Sequence, residues 1–382
     1  MGDQPRQHGG SRWLAWMPLT VGALSSYGSP TLNYGFALYF LTYQHGFVKR
    51  GLVGELFSPL RMMTRGTLFA IEYLFLAAAF ALTYVVFRDV IFGSEGERRF
   101  AAALLVAPAA LPHIGYLFAQ PDVTLYILVL MCLALLLRAT PGMAALITCP
   151  LCCLGLLAHE AFCLMFYPLI AAVLLHLCVR RRLRWIAAVA HVLVVSAIFA
   201  AILHWGKLKV SPDVLLAEAQ SRTNVGVQRQ VYDVMASTLA QQRERVHLMY
   251  SADVMRVLGI TLVLSAPYFV LLTRLLHGAM RTAGCRRLQI ASTVALFVSP
   301  LLLCALGHDT TRWIGAMCLD ATLFVLYLYL ADRRDGSVRR YLLTWAQGPS
   351  YVPWLMYLIA VGPYGATGLR TANELYQVWN GP

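Results

Sequence analysis

The sequence predicts an all-α, polytopic integral membrane protein with about eleven transmembrane helices. Hydrophobic residues make up 59% of the 382-residue chain and charged residues only 13%, which is too few to cover an ordinary soluble surface. Apolar runs near the roughly 20 residues needed to cross a hydrocarbon core recur at short intervals, and the alternating strands typical of membrane barrels are missing from the sequence. Because helices satisfy their own backbone polar groups in lipid, one helical membrane domain over residues 1–382 is the simplest organisation.

The predicted spans come from the positions of the apolar runs, and they follow one another closely. The division within 143–179 has two solutions, because His159 and Glu160 interrupt one long apolar stretch. Either two short helices meet there, or one tilted helix carries a re-entrant piece. The spans are predicted at 13–30, 67–88, 100–119, 122–138, 143–158, 160–179, 185–205, 255–274, 289–306, 313–331 and 351–367.

Arginine-rich loops set the predicted orientation. Short cytoplasmic loops carry an excess of Lys and Arg, and with these spans the arginine-rich loops all fall on one side. That side is predicted to be cytoplasmic, which places the N-terminus inside, as a retained anchor, and the C-terminus in the extracytoplasmic space. The loops concerned are 88–99, 180–184, 274–287 and 333–340, with Arg138 and the N-terminal Arg6 and Arg12 in agreement.

The remaining polar pieces of the chain are predicted to share the opposite, extracytoplasmic side. They are too polar to be packing elements alone, so we expect the functional site among them. The six pieces are 31–66, the Gln120-Pro121-Asp122 turn, His159-Glu160, 206–253, Gly307 to Arg312 and 368–382.

The first outer loop, 31–66, combines aromatic residues with a basic patch around Lys49 and Arg50. Aromatic and basic residues at helical spacing indicate interface helices whose apolar side lies in lipid. Basic residues in an outer loop run against the usual charge bias, which suggests that they hold an anion. The alternative is a simple lipid anchor, and Glu55 distinguishes the two because an anchor for anionic lipid gains nothing from a carboxylate there.

A second outer segment, 206–253, has charges of both signs with enough Leu, Val and Ala for one or two amphipathic helices. It is ordered enough to act as a lid over a site. A solvated connector, made soluble by its charges, explains the same composition.

Ionisable residues at membrane depth are costly, so each is a functional candidate. In the span that follows Gly307, Asp309, Arg312 and Asp320 lie on one helix face, so an ion pair within this face is an alternative to a phosphate clamp by Arg312. The candidate catalytic residues are Glu55, Asp122, Glu160 and Asp309, and the candidate substrate-binding residues are Lys49, Arg50, His159, His308 and Arg312.

Several other functions are disfavoured by the sequence. The net charge of +13 is spread through short loops, which argues against nucleic acid as a partner. Dinucleotide, P-loop and nucleophile-elbow motifs are missing. No cofactor is predicted; His113, His159 and His308 with the nearby carboxylates could ligate a divalent metal, but no fixed ligand spacing supports this.

Three short stretches and the topology carry a resemblance. About eleven spans, a first outer loop with interface helices and an acidic residue, and the span opening at Pro121-Asp122 resemble the GT-C class of membrane glycosyltransferases and, less closely, multispanning bacterial polysaccharide polymerases. The GFVKRGL, AHEAF and DxxRW stretches resemble other membrane proteins of the same bacterial setting. The resemblance implies transfer of a sugar from a polyprenyl-phosphate carrier to a glycan or lipid acceptor on the outer face. The chain departs from the class in having a single Glu55 where many members have paired acids, which leaves Asp122, Glu160 and Asp309 as rival bases.

On this hypothesis, Glu55 or Asp122 takes the proton of the acceptor hydroxyl, and three cations neutralise the departing phosphate: Lys49, Arg50 and Arg312. His159 and Glu160 line the cavity. The alternatives are a polymerase of lipid-linked repeats, a transporter or flippase of lipid-linked sugars, and a structural membrane subunit whose charged groups pair only with one another.

Overall fold

The structure is a computed structural model that describes residues 12–28, 32–238, 241, 244, 250–284, 286–305, 309–332, 336–365 and 368–380. Over these residues the fold is all-helical, and the strand-like pairing is limited to one isolated bridge between Tyr364 and Leu369. The α-helices are Trp13–Ser25, Leu32–Ala37, Gly51–Phe57, Arg65–Val86, Arg88–Ile91, Glu95–Leu105, Leu111–Tyr116, Pro121–Arg138, Pro141–Ala158, Phe162–Met165, Tyr167–Val179, Trp185–Trp205, Pro212–Arg222, Arg229–Ala236, Ala252–Thr282, Arg286–Leu302, Thr310–Ala331, Ser337–Gln347, Tyr351–Val361 and Arg370–Asn380.

Six of the described helices are long and apolar enough to cross a membrane, which makes the chain a helical membrane protein. They coincide with six of the predicted spans. The other predicted spans are occupied by shorter or broken helices; for example, 100–119 divides into the helices Glu95–Leu105 and Leu111–Tyr116. The total of about eleven crossings therefore remains a prediction. The six are Arg65–Val86, Pro121–Arg138, Pro141–Ala158, Trp185–Trp205, Ala252–Thr282 and Thr310–Ala331.

The uncertain stretch 143–179 forms separate helices. The helix Pro141–Ala158 ends at His159, whose backbone is extended, and a short helix and the helix Tyr167–Val179 follow. Of the two predicted solutions, the structure therefore has helices that meet at His159 and Glu160. This break removes the two residues from regular helix and leaves them at a helix end.

The helix Thr310–Ala331, which we call the central helix, forms the middle of the bundle. Almost all of its side chains are buried, and it packs against the helices Tyr167–Val179, Ala252–Thr282 and Arg286–Leu302. A helix that is apolar on nearly every side is stable only when it is surrounded. The helix Trp185–Trp205 is more apolar still but mostly exposed, as expected of a helix that is surrounded by lipid rather than by protein.

The polar pieces assemble at one end of the bundle, which we call the site end. The backbone N–H of Lys49 donates to the Gly206 carbonyl (2.9 Å), the hydroxyls of Tyr250 and Thr310 are 2.5 Å apart, and Tyr376 donates to Asp253 (2.6 Å). These contacts join the first loop, the 206–253 segment, the start of the central helix and the C-terminal helix, as the alternation of loops predicts.

The arginine-rich loops meet at the opposite end, which we call the basic end. Arg339 pairs with Glu97, and the Tyr341 hydroxyl donates to the carbonyl of Arg274 (3.1 Å). The helix ends that carry Arg138 and Arg180 lie there too, because each is at the opposite terminus of its helix from the site end. The arginine-rich loops therefore lie at the basic end, and the polar loops with charges of both signs lie at the site end.

The first loop differs from the prediction in where its aromatic residues point. Phe36, Tyr39 and Phe40 are buried inside the protein rather than in lipid. Tyr39 donates to Glu72 (2.7 Å), which fixes this turn against the helix Arg65–Val86. Leu56, farther along the loop, is exposed, so the lipid-facing part is shorter than predicted.

The segment 206–253 contains the helices Pro212–Arg222 and Arg229–Ala236, in keeping with the predicted amphipathic helices. It packs directly on the first loop: the Met63 N–H donates to the Arg222 carbonyl (2.9 Å), and the Tyr232 hydroxyl donates to the Ala37 carbonyl (3.2 Å). The segment therefore covers the first loop, which carries Lys49 and Arg50.

Candidate functional site

Seven of the predicted residues come together at the site end, and we call them the charged cluster. They come from the first loop, from the helix ends at residues 122 and 159–160, and from the start of the central helix. Since these segments are far apart in sequence, the tertiary fold assembles the cluster. Its members are Lys49, Arg50, Asp122, His159, Glu160, Asp309 and Arg312.

Arg312 binds two carboxylates at the start of the central helix. Its Nε and Nη2 atoms donate to the two oxygens of Asp122 (2.9 and 2.5 Å), and Nη1 donates to Asp309 (3.0 Å). Asp122 follows Pro121 in the first turn of its helix, where proline fits and the helix dipole favours an acidic side chain. Asp122 is fully buried and Arg312 nearly so. This bidentate pair therefore joins the central helix to the helix Pro121–Arg138.

Arg50 forms the second bidentate pair, with Glu160. Its Nη2 and Nε atoms donate to the two carboxylate oxygens at 2.6 and 2.8 Å, and the Lys49 ammonium lies 4.0 Å from the same carboxylate. Arg50 has φ = 64°, in the left-handed region that costs an L-residue about 1–2 kcal/mol. This backbone conformation directs the Arg50 side chain toward the protein interior. The ion pair with Glu160 therefore forms together with a strained backbone at Arg50.

His159 lies next to both pairs. Its Nδ1 accepts a hydrogen bond from the Ala161 N–H (3.1 Å), so the imidazole proton resides on Nε2. Nδ1 is 3.7 Å from Glu160. Burial, followed by the positive charge of Arg50, lowers the pKa of His159 to about 3, and Arg312 acts in the same direction. The imidazole is therefore neutral at physiological pH.

The charges of the second pair are strongly coupled. Burial alone raises the pKa of Glu160, but Arg50 outweighs it and holds that pKa well below the ordinary value. Burial lowers the pKa of Lys49, and Glu160 only partly offsets this effect. An ammonium whose pKa is lowered by burial gains from an additional anion nearby.

The other two predicted site residues, Glu55 and His308, are not part of this cluster, and neither is His113, which was considered as a metal ligand. Glu55 is exposed, and its carboxylate accepts a hydrogen bond from the Tyr43 N–H (2.9 Å), so it supports the loop backbone and lies apart from the two arginine pairs. His308 lies outside the described residues. His113 is buried, its Nδ1 donates to the Tyr364 carbonyl (2.9 Å), and its ring packs against Gly315 of the central helix.

Asp320 does not form the ion pair that its position suggested. Eight helical residues separate it from Arg312, about 12 Å along the axis, which is too far for direct contact. Asp320 is fully buried, and neither carboxyl oxygen has a hydrogen-bond partner among the residues that the structure describes. A buried polar group without a partner costs free energy, so Asp320 lowers the stability of the fold.

Glu72 is a buried carboxyl group that the sequence analysis missed. It lies within the helix Arg65–Val86 at the site end and accepts the hydrogen bond from Tyr39. The same rule that selected Asp122, an ionisable residue inside an apolar run, would have selected it. The hydrogen bond and burial indicate a structural role in holding the first loop.

The cluster balances three cations against three carboxylates, and a neutral imidazole lies between them. Such a set can exchange a carboxylate for another anion at an arginine, because guanidinium groups bind carboxylates and phosphates with the same bidentate geometry. Among the described residues, no group of three or more His, Cys, Asp and Glu side chains is arranged to hold a metal ion.

The apolar helices and the buried charged cluster define the class of this chain: a helical membrane protein with a charged site at one end of its bundle. Comparison with protein-family models, with curated proteins and with solved structures gives no match.

Proposed function

We propose that the chain is a membrane glycosyltransferase that takes a sugar from a polyprenyl-phosphate-linked donor on the extracytoplasmic face of the membrane. The observation that supports this most is the gathering of Lys49, Arg50 and Arg312 in one buried cluster. A phosphate carried on a lipid tail enters such a site from the bilayer, and guanidinium groups remain charged in a site with little water. The acceptor is the hydroxyl of a glycan or lipid.

Donor binding proceeds by anion exchange at Arg50. The donor phosphate replaces Glu160 as the hydrogen-bond partner of the Arg50 guanidinium, and it also contacts the Lys49 ammonium. Arg50 is on a strained loop, and its partner is slightly more accessible than Asp122, which is fully enclosed with Arg312. The exchange is therefore easier at Glu160, while the Asp122–Arg312 pair keeps the helices together.

Exchange at Arg50 also activates the base. While Arg50 holds Glu160, the pKa of that carboxyl group is far below its ordinary value and the carboxylate is a poor proton acceptor. Loss of the guanidinium removes the main cause of that lowering, so the pKa rises and Glu160 becomes a stronger base. Phosphate binding and base activation thus occur in the same step.

Transfer is a direct displacement that inverts the anomeric centre. The acceptor oxygen forms a bond to the anomeric carbon as the bond from that carbon to the phosphate oxygen breaks. Glu160 receives the acceptor proton, and Lys49 and Arg50 stabilise the departing polyprenyl phosphate. A carboxylate base of this kind contributes about 10²–10⁴-fold to the rate.

Two related functions would use the same phosphate-binding groups. A polymerase would transfer whole lipid-linked repeats, so a reconstituted assay would yield elongated chains rather than single additions. A flippase would move the lipid-linked sugar without a change in its covalent structure.

The structural subunit is the rival that a specific observation favours. Both arginines of the cluster are already paired with carboxylates, which is the arrangement expected if the charged groups serve only one another. A double variant at Arg50 and Glu160 distinguishes a structural subunit from a glycosyltransferase.

The test compares lipid-linked intermediates in cells with the gene, without it, and with variants supplied in its place. We expect Glu160→Gln to leave the same accumulated intermediates as loss of the gene, because the base is absent. Glu55→Gln is the matched control: it makes the same chemical change at an exposed position and should restore the wild-type profile.

The double variant Arg50→Gln/Glu160→Gln decides between enzyme and structural subunit. Removing both partners leaves no lone charge at either position, and Lys49, whose pKa is already lowered by burial, can lose its proton when Glu160 is absent. This variant should therefore fold and reach the membrane. The enzyme proposal requires it to be inactive. A folded double variant that restores the wild-type intermediates would overturn the proposal and leave a structural role.

A further inference from the structure

A cavity of about 510 Å³ opens at the basic end, far from the charged cluster. It lies where four helices end: Arg65–Val86, Pro121–Arg138, Tyr167–Val179 and the central helix. Its volume is within the range of ligand sites in proteins. The cavity is therefore large enough for the head group of a lipid.

Arginine side chains dominate the polar part of the lining. Arg138, Arg180 and Arg182 contribute to it, together with the carboxylates of Asp89 and Asp332. The Asp332 carboxylate already accepts hydrogen bonds from the N–H groups of Val338 (2.7 Å) and Arg339 (3.2 Å) at the start of a helix. With three guanidinium groups against two carboxylates, the net charge of the lining is positive.

The turn after the helix Tyr167–Val179 places two of these arginines on the cavity. The N–H of Arg182 donates to the Leu177 carbonyl (2.9 Å) and the N–H of Arg181 to the Cys178 carbonyl (2.9 Å), the pattern of a Schellman motif. Arg181 has φ = 55°, at a position where glycine is usual. Arg180 and Arg182 line the cavity on either side of this strained residue.

The rest of the lining is suited to the boundary between head groups and acyl chains. Leu136, Leu137 and Leu330 form an apolar wall, and the floor contains Tyr327, whose hydroxyl is 3.0 Å from Nδ1 of His176. Val85 and Val179, which adjoin the lining residues, are exposed on apolar helices and so face lipid. A ligand can therefore reach the arginines from the bilayer.

We propose that this cavity binds the phosphate group of an anionic membrane lipid from the leaflet at the basic end. Guanidinium groups bind phosphate bidentately, and basic pockets between transmembrane helices at the cytoplasmic side hold anionic head groups. The apolar wall accommodates the start of the acyl chains. The site is separate from the charged cluster and does not depend on the proposed function.

The test uses the purified full-length chain in neutral detergent, with binding followed by native mass spectrometry. The probes are phosphatidylglycerol, zwitterionic phosphatidylcholine and inorganic phosphate. We expect phosphatidylglycerol to bind in preference to both of the others, because inorganic phosphate lacks acyl chains to contact the apolar wall and phosphatidylcholine carries no net charge. Equal binding of phosphatidylcholine would overturn the proposal, and so would inorganic phosphate that displaces the lipid at equal concentration.

Arg182→Gln and Arg184→Gln form a matched pair of variants. Both arginines are exposed in the same loop, but only Arg182 lines the cavity. Loss of a charged hydrogen bond should weaken phosphatidylglycerol binding about tenfold in Arg182→Gln. Arg184→Gln should bind as the wild type does. An equal loss in both variants would indicate diffuse attraction to a basic surface and would refute a defined site.

Discussion

Arg50 combines a strained backbone with a buried ion pair. Its left-handed conformation costs about 1–2 kcal/mol, and its side chain forms a bidentate pair with Glu160. Strained residues often occur where function requires a set geometry. At this position the strain directs a guanidinium toward a site where the fold also places Lys49 and His159.

His159 should make the stability of the protein sensitive to acid. Its pKa is about 3 in the folded state, against an ordinary value of 6.5. Between these values the unfolded state binds more protons, so stability falls as the pH decreases through this window, by up to ~1.4 kcal/mol per pH unit. His159→Asn, which keeps an acceptor for the Ala161 N–H, should flatten this dependence between pH 7 and pH 5.

The measurement is the free energy of unfolding in detergent micelles as a function of pH. Glu160 acts in the same direction, but only below the ordinary pKa of 4.5. The window above pH 5 therefore excludes Glu160, and the difference in slope between His159→Asn and the wild type measures the contribution of His159. His277→Asn, at an exposed histidine, is the control and should retain the wild-type slope. If His159→Asn also kept that slope, the buried neutral imidazole would be disproved.

At the scale of elements, the Asp122–Arg312 pair joins two membrane helices. Arg312→Gln leaves the buried Asp122 carboxylate without its cation and should destabilise the protein by about 3–5 kcal/mol. Asp122→Asn should cost less, because Arg312 still pairs with Asp309 (3.0 Å). The double variant should lose less than the sum of the two, because neither buried charge remains without the other and Asp309 is partly exposed. Free energies of unfolding of the four proteins in micelles provide the double-mutant cycle.

The exposed ion pair between Arg229 and Asp213 is the control for this double-mutant cycle. Arg229 and Asp213 are 3.2 Å apart on the surface, and Arg229→Gln should cost only about 0–1 kcal/mol. Additive losses at Asp122 and Arg312 would show that the two side chains do not interact energetically, contrary to their bidentate geometry.

At the scale of the whole molecule, the two ends of the bundle should face opposite sides of the membrane. Gln220 at the site end and Thr282 at the basic end are both exposed. By the positive-inside rule, Gln220→Cys should react with a membrane-impermeant maleimide on intact cells, and Thr282→Cys only after permeabilisation.

The parent chain, with its nine native cysteines, is the reference for each variant in this assay. Labelling of Thr282→Cys on intact cells, with Gln220→Cys protected, would reverse the orientation. A reversed orientation would place the charged cluster in the cytoplasm and exclude an extracytoplasmic donor.

The amino-acid sequence alone was enough to predict the six long apolar helices and the division of loops between two ends. Hydrophobicity over some 20 residues and the local density of arginine are properties of short stretches, so they can be read without knowledge of packing. They also selected most of the charged cluster, since an ionisable residue in an apolar run is conspicuous wherever it lies.

Which charges contact one another depends on the packing of the helices. Sequence spacing suggested Asp320 or Asp309 as partners of Arg312; Asp309 does pair with it, but its bidentate partner is Asp122, 190 residues away. The fold also leaves Glu55 exposed and, within the described part of the chain, Asp320 without a hydrogen-bond partner. An ion pair requires atoms within a few ångströms, and for residues distant in sequence that separation is set by how helices pack, which local patterns do not encode.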